Sequence, residues 1–249
     1  MHPVLIETGP ITLYSYGFFM AAAFLLGMAW TMREAGLRGL DRRFVLDIGF
    51  YVLLGGLLGA RLSFAALNPD LFLDDPLGII KLWNGGLFFW GGAFVAALFM
   101  IIFLRAKNQR ILPWLDAAAP GVALGLLVGW LGCLAAGCGY GKPADLPWSI
   151  TYTHPEAIAP LFLALHPTQA YHALAALACF TVMMLIKDSF IVSGRLAGFF
   201  LIMYGLVRNL IDFLRGDVPG DFFFLGVNHG LGLAVVAVGL ILYYFPVRK

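Results

Sequence analysis

The sequence predicts an all-α polytopic membrane protein with about seven transmembrane helices, an external N-terminus and a cytoplasmic C-terminus. Of the 249 residues, 61% are hydrophobic and only 12% are charged, whereas soluble domains carry about 25% charged residues. An excess of this size indicates that apolar side chains cover the lipid-facing surface as well as the interior. An uneven distribution of lysine and arginine between the loops predicts the orientation.

The helices are predicted from runs of apolar residues, because a helix needs about 20 such residues to cross the hydrocarbon. Seven segments approach this length, at residues 11–32, 44–67, 87–104, 113–136, 167–186, 196–214 and 223–246. We expect residues 1–249 to form a single integral-membrane domain.

Basic residues are concentrated in the loops on one side of these helices. That side carries eleven of them, namely Arg33, Arg38, Arg42, Arg43, Arg105, Lys107, Arg110, Lys187, Arg195, Arg248 and Lys249. The opposite side carries three, Lys81, Lys142 and Arg215, together with eight acidic residues. Because cytoplasmic loops are enriched in lysine and arginine, we expect the N-terminus and the long connection 139–166 to lie outside.

Two further arginines, Arg61 and Arg208, fall within the predicted helices. A buried arginine in a membrane is costly and usually functional, although snorkelling or pairing with a neighbour is the simpler alternative. Asp212 follows Arg208 by four residues, which places it one turn along the same helix face.

Glycine is dense in three stretches, "GGLLGAR" at 55–61, "GGLFFWGG" at 85–92 and "GWLGCLAAGCGYG" at 129–141. Such stretches are typical of close helix packing, and also of broken helices that line a ligand cavity. With Arg61 and Arg208 at similar depth, the second interpretation predicts a lipid-sized cavity with positive charge at its polar end. An anionic phospholipid fits that description.

The histidines and cysteines form no recognisable metal-binding pattern, and we expect neither a metal nor a cofactor. His166 and His172 are six residues apart and do not share a helix face, and Cys133 and Cys138 lack the second pair of a zinc motif. On a continuous helix these cysteines would lie about 140° apart. They could approach each other only if the helix ends between them, and we expect Cys133 to be a buried packing residue.

Five segments occur together in an order and spacing similar to those of a known family: "HPVLIETGPITLYSYGFFMAAAFLLG", "GARLSFAALNPD", "WNGGLFFWGG", "HPTQAYHAL" and "GFFLIMYGLVRNLIDFLR". They resemble the prolipoprotein diacylglyceryl transferases over nearly the whole chain. The resemblance implies a multi-pass enzyme of the bacterial inner (cytoplasmic) membrane. Such an enzyme moves the diacylglyceryl group of phosphatidylglycerol to the lipobox cysteine thiol of a prolipoprotein and releases glycerol phosphate. The implied partners are phospholipid and prolipoprotein, and not nucleic acid.

The resemblance also implies site residues. The catalytic candidates are Arg208, Asp212, His166 and Tyr16. The lipid-binding candidates are Arg61, Asn68, Trp90, Gly91, Gly92, Trp130, Gly137, Gly141, Lys142 and Gln169. The chemistry agrees with these residue types, because the thiol must lose its proton to attack and a guanidinium grips phosphate with two donors at once.

The chain departs from the family pattern at several positions. Trp130 stands where the family has an arginine, Trp90 where it has a histidine, and His172 where it has a glutamate. Cys133, Ala136 and Cys138 replace two asparagines and a glutamate.

Two interpretations of these departures follow. In the first, a divergent transferase uses Arg208, Arg61 or Lys142 for the phosphate, with His166 or Tyr16 near the thiol. In the second, a catalytically altered or inactive member binds an anionic lipid or a membrane partner. The joint presence of Arg208, Asp212 and "HPTQ" favours the first. A transporter or channel is disfavoured, since the sequence shows no strong internal repeat.

Overall fold

Each predicted apolar segment contains one long helix in the part of the chain that the structure describes. These helices are α1 (Ser15–Leu37), α2 (Arg43–Leu67), α4 (Phe89–Ala106), α5 (Ile111–Ala136), α6 (Thr168–Ile186), α7 (Arg195–Asp212) and α8 (Val227–Tyr244), with the short α3 (Asp70–Leu73) after α2. Five of them, α1, α2, α4, α5 and α6, are long and apolar enough to cross a membrane. The structure thus supports an all-α polytopic membrane protein, whereas seven crossings remain a prediction.

The computed structural model describes residues 2–8, 11–73, 76–81, 85–217 and 226–245, in two compact units. One unit comprises Met1–Glu34 with Leu115–Lys249, and the other comprises Ala35–Trp114. Several features of the sequence analysis lie outside the described residues: Gly9 and Pro10 of the first motif, Trp83 and Asn84 of the third, the two ends of the last apolar segment, and the charged residues Asp74, Asp75, Asp221, Arg248 and Lys249.

The Ala35–Trp114 unit is built on the contact between α2 and α4, which pack through glycines. A Cβ atom added at Gly92 would lie 2.9 Å from the carbonyl oxygen of Gly56, and one at Gly55 would lie 3.0 Å from that of Val95. Only residues without a side chain allow two helix backbones to approach so closely. Close packing therefore accounts for these glycines, and lipid binding by Gly91 and Gly92 stays a prediction.

In the other unit, α5, α6 and α7 share a core, and α8 packs against α7. The core consists of Ala119, Ala123, Cys179, Met183, Leu196, Ala197 and Phe200. Helices α7 and α8 approach each other at Gly205 and Gly239, where added Cβ atoms would lie 2.9 Å from the Gly232 oxygen and 2.8 Å from the Gly198 oxygen.

Asp116 connects α5 to the start of α7. Its carboxylate accepts hydrogen bonds from the backbone N–H groups of Gly194 at 2.6 Å and Ala197 at 2.8 Å. Such bonds satisfy amide donors that a helix N-terminus otherwise leaves without partners. A buried carboxylate on one helix thus fixes the beginning of another.

Two small antiparallel sheets correct the purely helical prediction. Strand β1 (Val4–Thr8) pairs with β2 (Ile11–Tyr14), and β3 (Ile150–Thr151) pairs with β4 (Ala164–Leu165) inside the 139–166 connection. The first helix begins at Ser15 and not at residue 11, because residues 11–14 belong to the hairpin. A short apolar run is compatible with either a strand or a helix end, so hydropathy alone could not place this boundary.

Candidate active site

A cluster of buried polar side chains lies where α7 ends. Arg208, Asp212 and His172 are each at most 6% exposed. The Nε atom of Arg208 lies 3.6 Å from Oδ2 of Asp212, which confirms the pairing expected from their spacing. Nη1 of Arg208 also donates a hydrogen bond of 2.8 Å to the hydroxyl of Tyr204, one turn earlier on the helix.

Asp212 is shared among three basic side chains. Besides Arg208, it pairs with Nη1 of Arg215 at 3.2 Å, and Nε2 of His172 lies 3.8 Å from its Oδ1. Arg215 in turn grips Asp217 with two hydrogen bonds of 2.9 Å each. Burial disfavours the charged guanidinium of Arg215, but its bonds to Asp217 and its proximity to Asp212 outweigh that effect and raise its pKa. Arg215 therefore stays positively charged, and it forms an ion pair with the Asp212 carboxylate.

The polar cluster borders a cavity between α5, α6 and α7. The cavity has a volume of about 120 Å³ and is lined by Leu126, Trp130, His172, Ala175, Ala176, Ala178, Cys179, Val182, Phe200, Met203, Tyr204, Val207 and Arg208. Most of this lining is apolar, and its polar atoms come from Trp130, His172, Tyr204 and Arg208. Within this part of the cluster, the indole of Trp130 stacks on the imidazole of His172 with ring centroids 4.0 Å apart and planes inclined by 11°.

The "HPTQ" segment holds the turn that follows α5. Gln169 donates hydrogen bonds to the Cys138 carbonyl at 2.9 Å and to the Tyr152 hydroxyl at 3.2 Å, and Thr168 donates one of 2.6 Å to the Gly139 carbonyl. The neighbouring Gly137 has φ of +87°, a conformation that favours glycine. The buried Gln169 thus supports the backbone of this turn.

The same turn contacts the end of α7. Gly141 donates to the His166 carbonyl at 3.2 Å, and the backbone N–H of Lys142 donates to the Leu214 carbonyl at 2.8 Å. A Cβ atom at Gly141 would lie 3.0 Å from Cγ2 of Thr168. These contacts bring the 137–142 turn next to the Arg208–Asp212 pair, with the Lys142 side chain exposed.

The cysteines of the turn lie on either side of the end of α5. The helix ends at Ala136, between Cys133 and Cys138, and both thiols are free and partly buried. Cys133 was expected to be a buried packing residue, but it is only partly buried, three residues before α5 ends. A hydrogen bond with the Cys133 thiol lowers the pKa of the Cys138 thiol. Tyr16, near the start of α1, is 41% exposed.

His166 lies just before α6. Among the described residues, its side chain makes no hydrogen bond or ion pair with Arg208 or Asp212. Its Nδ1 lies 3.4 Å from the hydroxyl of Tyr171, and that hydroxyl accepts a 2.8 Å hydrogen bond from the indole of Trp148. His166 and Trp148 of the 139–166 connection thus both contact Tyr171 in the first turn of α6.

In the Ala35–Trp114 unit, Arg61 organises the segment that precedes α4. Its guanidinium donates to the carbonyl oxygens of Gly78 at 2.6 Å, Ile79 at 2.9 Å, Gly86 at 3.0 Å and Lys81 at 3.1 Å, and to that of Gly85. A guanidinium has five N–H donors, so these five acceptors match its full capacity. The structure favours an anchoring role for Arg61 over direct binding of a lipid phosphate.

Two further candidates of this unit, Asn68 and Trp90, have clear local surroundings. Asn68 caps the end of α2 by donating a 2.9 Å hydrogen bond to the Phe64 carbonyl. Trp90 is buried near the start of α4, with its ring 5.4 Å from that of Phe89. Lipid binding by these residues stays a prediction.

The comparison with known proteins identifies the family. The family model "Prolipoprotein diacylglyceryl transferase" matches residues 3–245. This chain belongs to the prolipoprotein diacylglyceryl transferase family. Phosphatidylglycerol–prolipoprotein diacylglyceryl transferases similar to it include that of Bordetella avium, 33% identical over 99% of this chain and 95% of the relative. Those of Marinomonas sp. and Clostridium tetani are 31% and 29% identical, over 96% and 98% of this chain and 91% and 97% of the relatives.

Within this diacylglyceryl transferase family member, two of the departures noted in the sequence are in direct contact. Trp130 and His172 are 42 residues apart in the chain, yet their rings stack face to face beside Asp212. Nothing in the sequence pairs Trp130 with His172, and His172, Tyr204 and Arg215 were not among the candidate site residues. The interval of four between Tyr204, Arg208 and Asp212 was the one local signal that could have found Tyr204.

Proposed function

We propose that this protein transfers the diacylglyceryl group of phosphatidylglycerol to the lipobox cysteine thiol of a prolipoprotein. The observation that carries the proposal is the buried Arg208 at the polar end of an apolar cavity. A phospholipid has complementary chemistry, because its anionic phosphate suits the guanidinium and a short stretch of acyl chain suits the apolar lining of this 120 Å³ cavity. The names of the relatives specify the same donor and acceptor.

In the transfer step, the acceptor thiolate attacks the glycerol carbon that carries the phosphate ester. A C–S bond forms, the C–O bond breaks, and the electron pair leaves with glycerol phosphate. Negative charge therefore grows on the phosphate as the bond breaks. Donors that are already in place in a water-poor site stabilise such charge without reorganising, and Arg208 is the group positioned for this role.

Asp212 and Tyr204 position that guanidinium. They contact its Nε and Nη1 atoms at 3.6 Å and 2.8 Å, so the side chain cannot swing freely. Arg215, held by Asp217, pairs with the Asp212 carboxylate at 3.2 Å. The polar cluster is thus a pre-arranged receptor for one phosphate group.

The remaining candidate residues are included in the proposal on the basis of their positions or of the sequence resemblance. Lys142 is exposed beside the end of α7 and is proposed to contact the lipid headgroup. Gly137, Gly141 and Gln169 act through the turn that they shape. Tyr16 and His166 remain proposed catalytic groups, and Asn68, Trp90, Gly91, Gly92 and Trp130 remain proposed lipid-binding residues. Arg61 is proposed to act indirectly, by holding the segment that precedes α4 in place.

We further propose seven membrane crossings in the bacterial inner membrane, with the N-terminus and residues 139–166 outside. The eleven-to-three distribution of basic residues between the two sides supports this orientation. Helices α7 and α8, with 18 residues each, are just long enough to take part.

Cysteine labelling tests this topology. In a variant without the three native cysteines, Glu156→Cys should react with a membrane-impermeant maleimide in intact spheroplasts. Lys107→Cys should react only after permeabilisation, because its loop is predicted to be cytoplasmic. Both side chains are exposed, so access to the reagent depends on the side of the membrane. Labelling of Lys107→Cys alone in intact spheroplasts would contradict the proposed orientation.

Transfer itself is tested with the purified protein in phosphatidylglycerol vesicles. A peptide that contains a lipobox cysteine should gain the mass of one diacylglyceryl group, while the same peptide with serine at that position should not. Vesicles of phosphatidylcholine serve as the control for the donor. Binding of phosphatidylglycerol without any modified peptide would overturn the proposal and support the catalytically altered alternative.

A further inference from the structure

His172 is a buried imidazole at the polar end of the cavity between α5, α6 and α7. It is 4% exposed, and Trp130 covers one face of its ring. Its Nε2 atom lies 3.8 Å from the Asp212 carboxylate and has no hydrogen-bond partner in the part of the chain that the structure describes. An unbonded buried ring nitrogen is unusual, because burial of a polar atom without a partner is costly.

The proposed reaction needs a group that accepts the proton of the acceptor thiol, since the thiolate is the nucleophile. Around the cavity, Asp212 is a poor candidate, because its carboxylate is already paired with Arg208 at 3.6 Å and with Arg215 at 3.2 Å. The Tyr204 hydroxyl already accepts a hydrogen bond from Arg208. A neutral imidazole is the side chain best suited to take up a proton near neutral pH.

We propose that His172 is the general base that accepts the proton of the prolipoprotein thiol. This inference rests on the transferase function proposed above. Stacking on Trp130 fixes the plane of the ring, and Asp212 stabilises the imidazolium that forms. The proton moves from sulfur to a ring nitrogen as the C–S bond forms, and the imidazolium later returns it to the released glycerol phosphate.

The charges that face His172 make this base dependent on the bound lipid. From α7 and the residues just beyond it, Arg208 and Arg215 oppose a further positive charge, whereas Asp212 favours one. Trp130 on α5 is uncharged, and Tyr204 and Cys179 border the same cavity. A lipid phosphate beside Arg208 adds one negative charge and so favours the imidazolium form of His172 over the neutral imidazole. The thiol is therefore activated only when the donor lipid is in place.

The test compares His172→Asn with the unaltered protein in the vesicle assay, across the neutral to alkaline range. We expect kcat to fall by about 10²–10⁴-fold, with a much smaller change in KM for phosphatidylglycerol. The residual rate should rise about tenfold per pH unit up to the pKa of the acceptor thiol, about 8.5, because solvent must then remove the proton. His154→Asn, on the 139–166 connection, is the matched control and should behave like the unaltered protein.

An acceptor peptide with selenocysteine in place of cysteine separates catalysis from structure, because a selenol is already ionised at neutral pH. His172→Asn should be slow with the thiol acceptor and fast with the selenol acceptor. A variant that is slow with both, or unchanged with both, overturns the role of His172. If the unaltered protein transfers nothing to either acceptor, the proposed function itself is wrong.

Discussion

Arg208→Ala should abolish transfer and lower the stability of the protein, whereas Arg208→Ala with Asp212→Ala should regain stability without regaining lipid binding. The single variant removes the guanidinium at the polar end of the cavity and leaves a buried carboxylate behind. Breaking a buried ion pair by removing one partner is strongly destabilising when the other charge is left alone. Here Arg215 still pairs with Asp212 at 3.2 Å, so we expect a smaller loss, about 1–3 kcal/mol.

The double variant separates the two roles of Arg208. Without Asp212, Arg215 keeps its two hydrogen bonds to Asp217 and remains satisfied. The midpoint temperature of thermal unfolding in detergent should therefore return toward that of the unaltered protein. Binding of phosphatidylglycerol, followed by native mass spectrometry, should not return. Recovery of lipid binding in the double variant would show that the pair is only structural.

Arg208→Lys refines this test, because lysine keeps the charge but loses the planar pair of donors. A charge-assisted hydrogen bond contributes about 1.5–3 kcal/mol, and 1.4 kcal/mol corresponds to about a tenfold change in affinity. We therefore expect lipid binding to weaken roughly 10- to 100-fold with the fold preserved. Arg110→Ala, which removes an exposed charge from the loop 105–112, is the control and should change neither quantity.

Arg61→Leu should destabilise the Ala35–Trp114 unit by about 3 kcal/mol or more, because several carbonyl oxygens lose their donor at once. The stability of Arg61→Lys should lie between that of the unaltered protein and that of Arg61→Leu, since an ammonium group has three donors for the five carbonyl groups. Arg43→Leu, an exposed position at the start of the same helix, is the matched control. Thermal unfolding and tryptic cleavage at Lys81 report the loss.

The alternative role of Arg61 predicts a different outcome. If its guanidinium binds the lipid phosphate directly, as the sequence resemblance implies, Arg61→Leu should weaken binding of phosphatidylglycerol while stability is retained. Unchanged protease resistance together with reduced lipid binding would therefore contradict the anchoring role.

Features that depend on neighbours in the chain could be predicted from the sequence. Apolar runs located the seven long helices found among the described residues, because hydropathy over about 20 residues reports directly on burial in lipid. The Arg208–Asp212 pair followed from their interval of four on one helix, and its distance of 3.6 Å agrees. The order of the motifs also indicated the family, whose model matches residues 3–245.

Features that depend on contacts between distant segments appeared only in the tertiary structure. Arg61 reaches carbonyl groups 17–25 residues away, and nothing local distinguishes such an anchor from a phosphate ligand. The pairing of β1 with β2 is local, but an apolar run alone could not separate β2 from α1, because a short run fits either a strand or a helix end. Trp130 on α5 stacks on His172 on α6. This contact depends on how the two helices pack, because side-chain periodicity predicts which helix face is buried but not which residue of another helix it contacts.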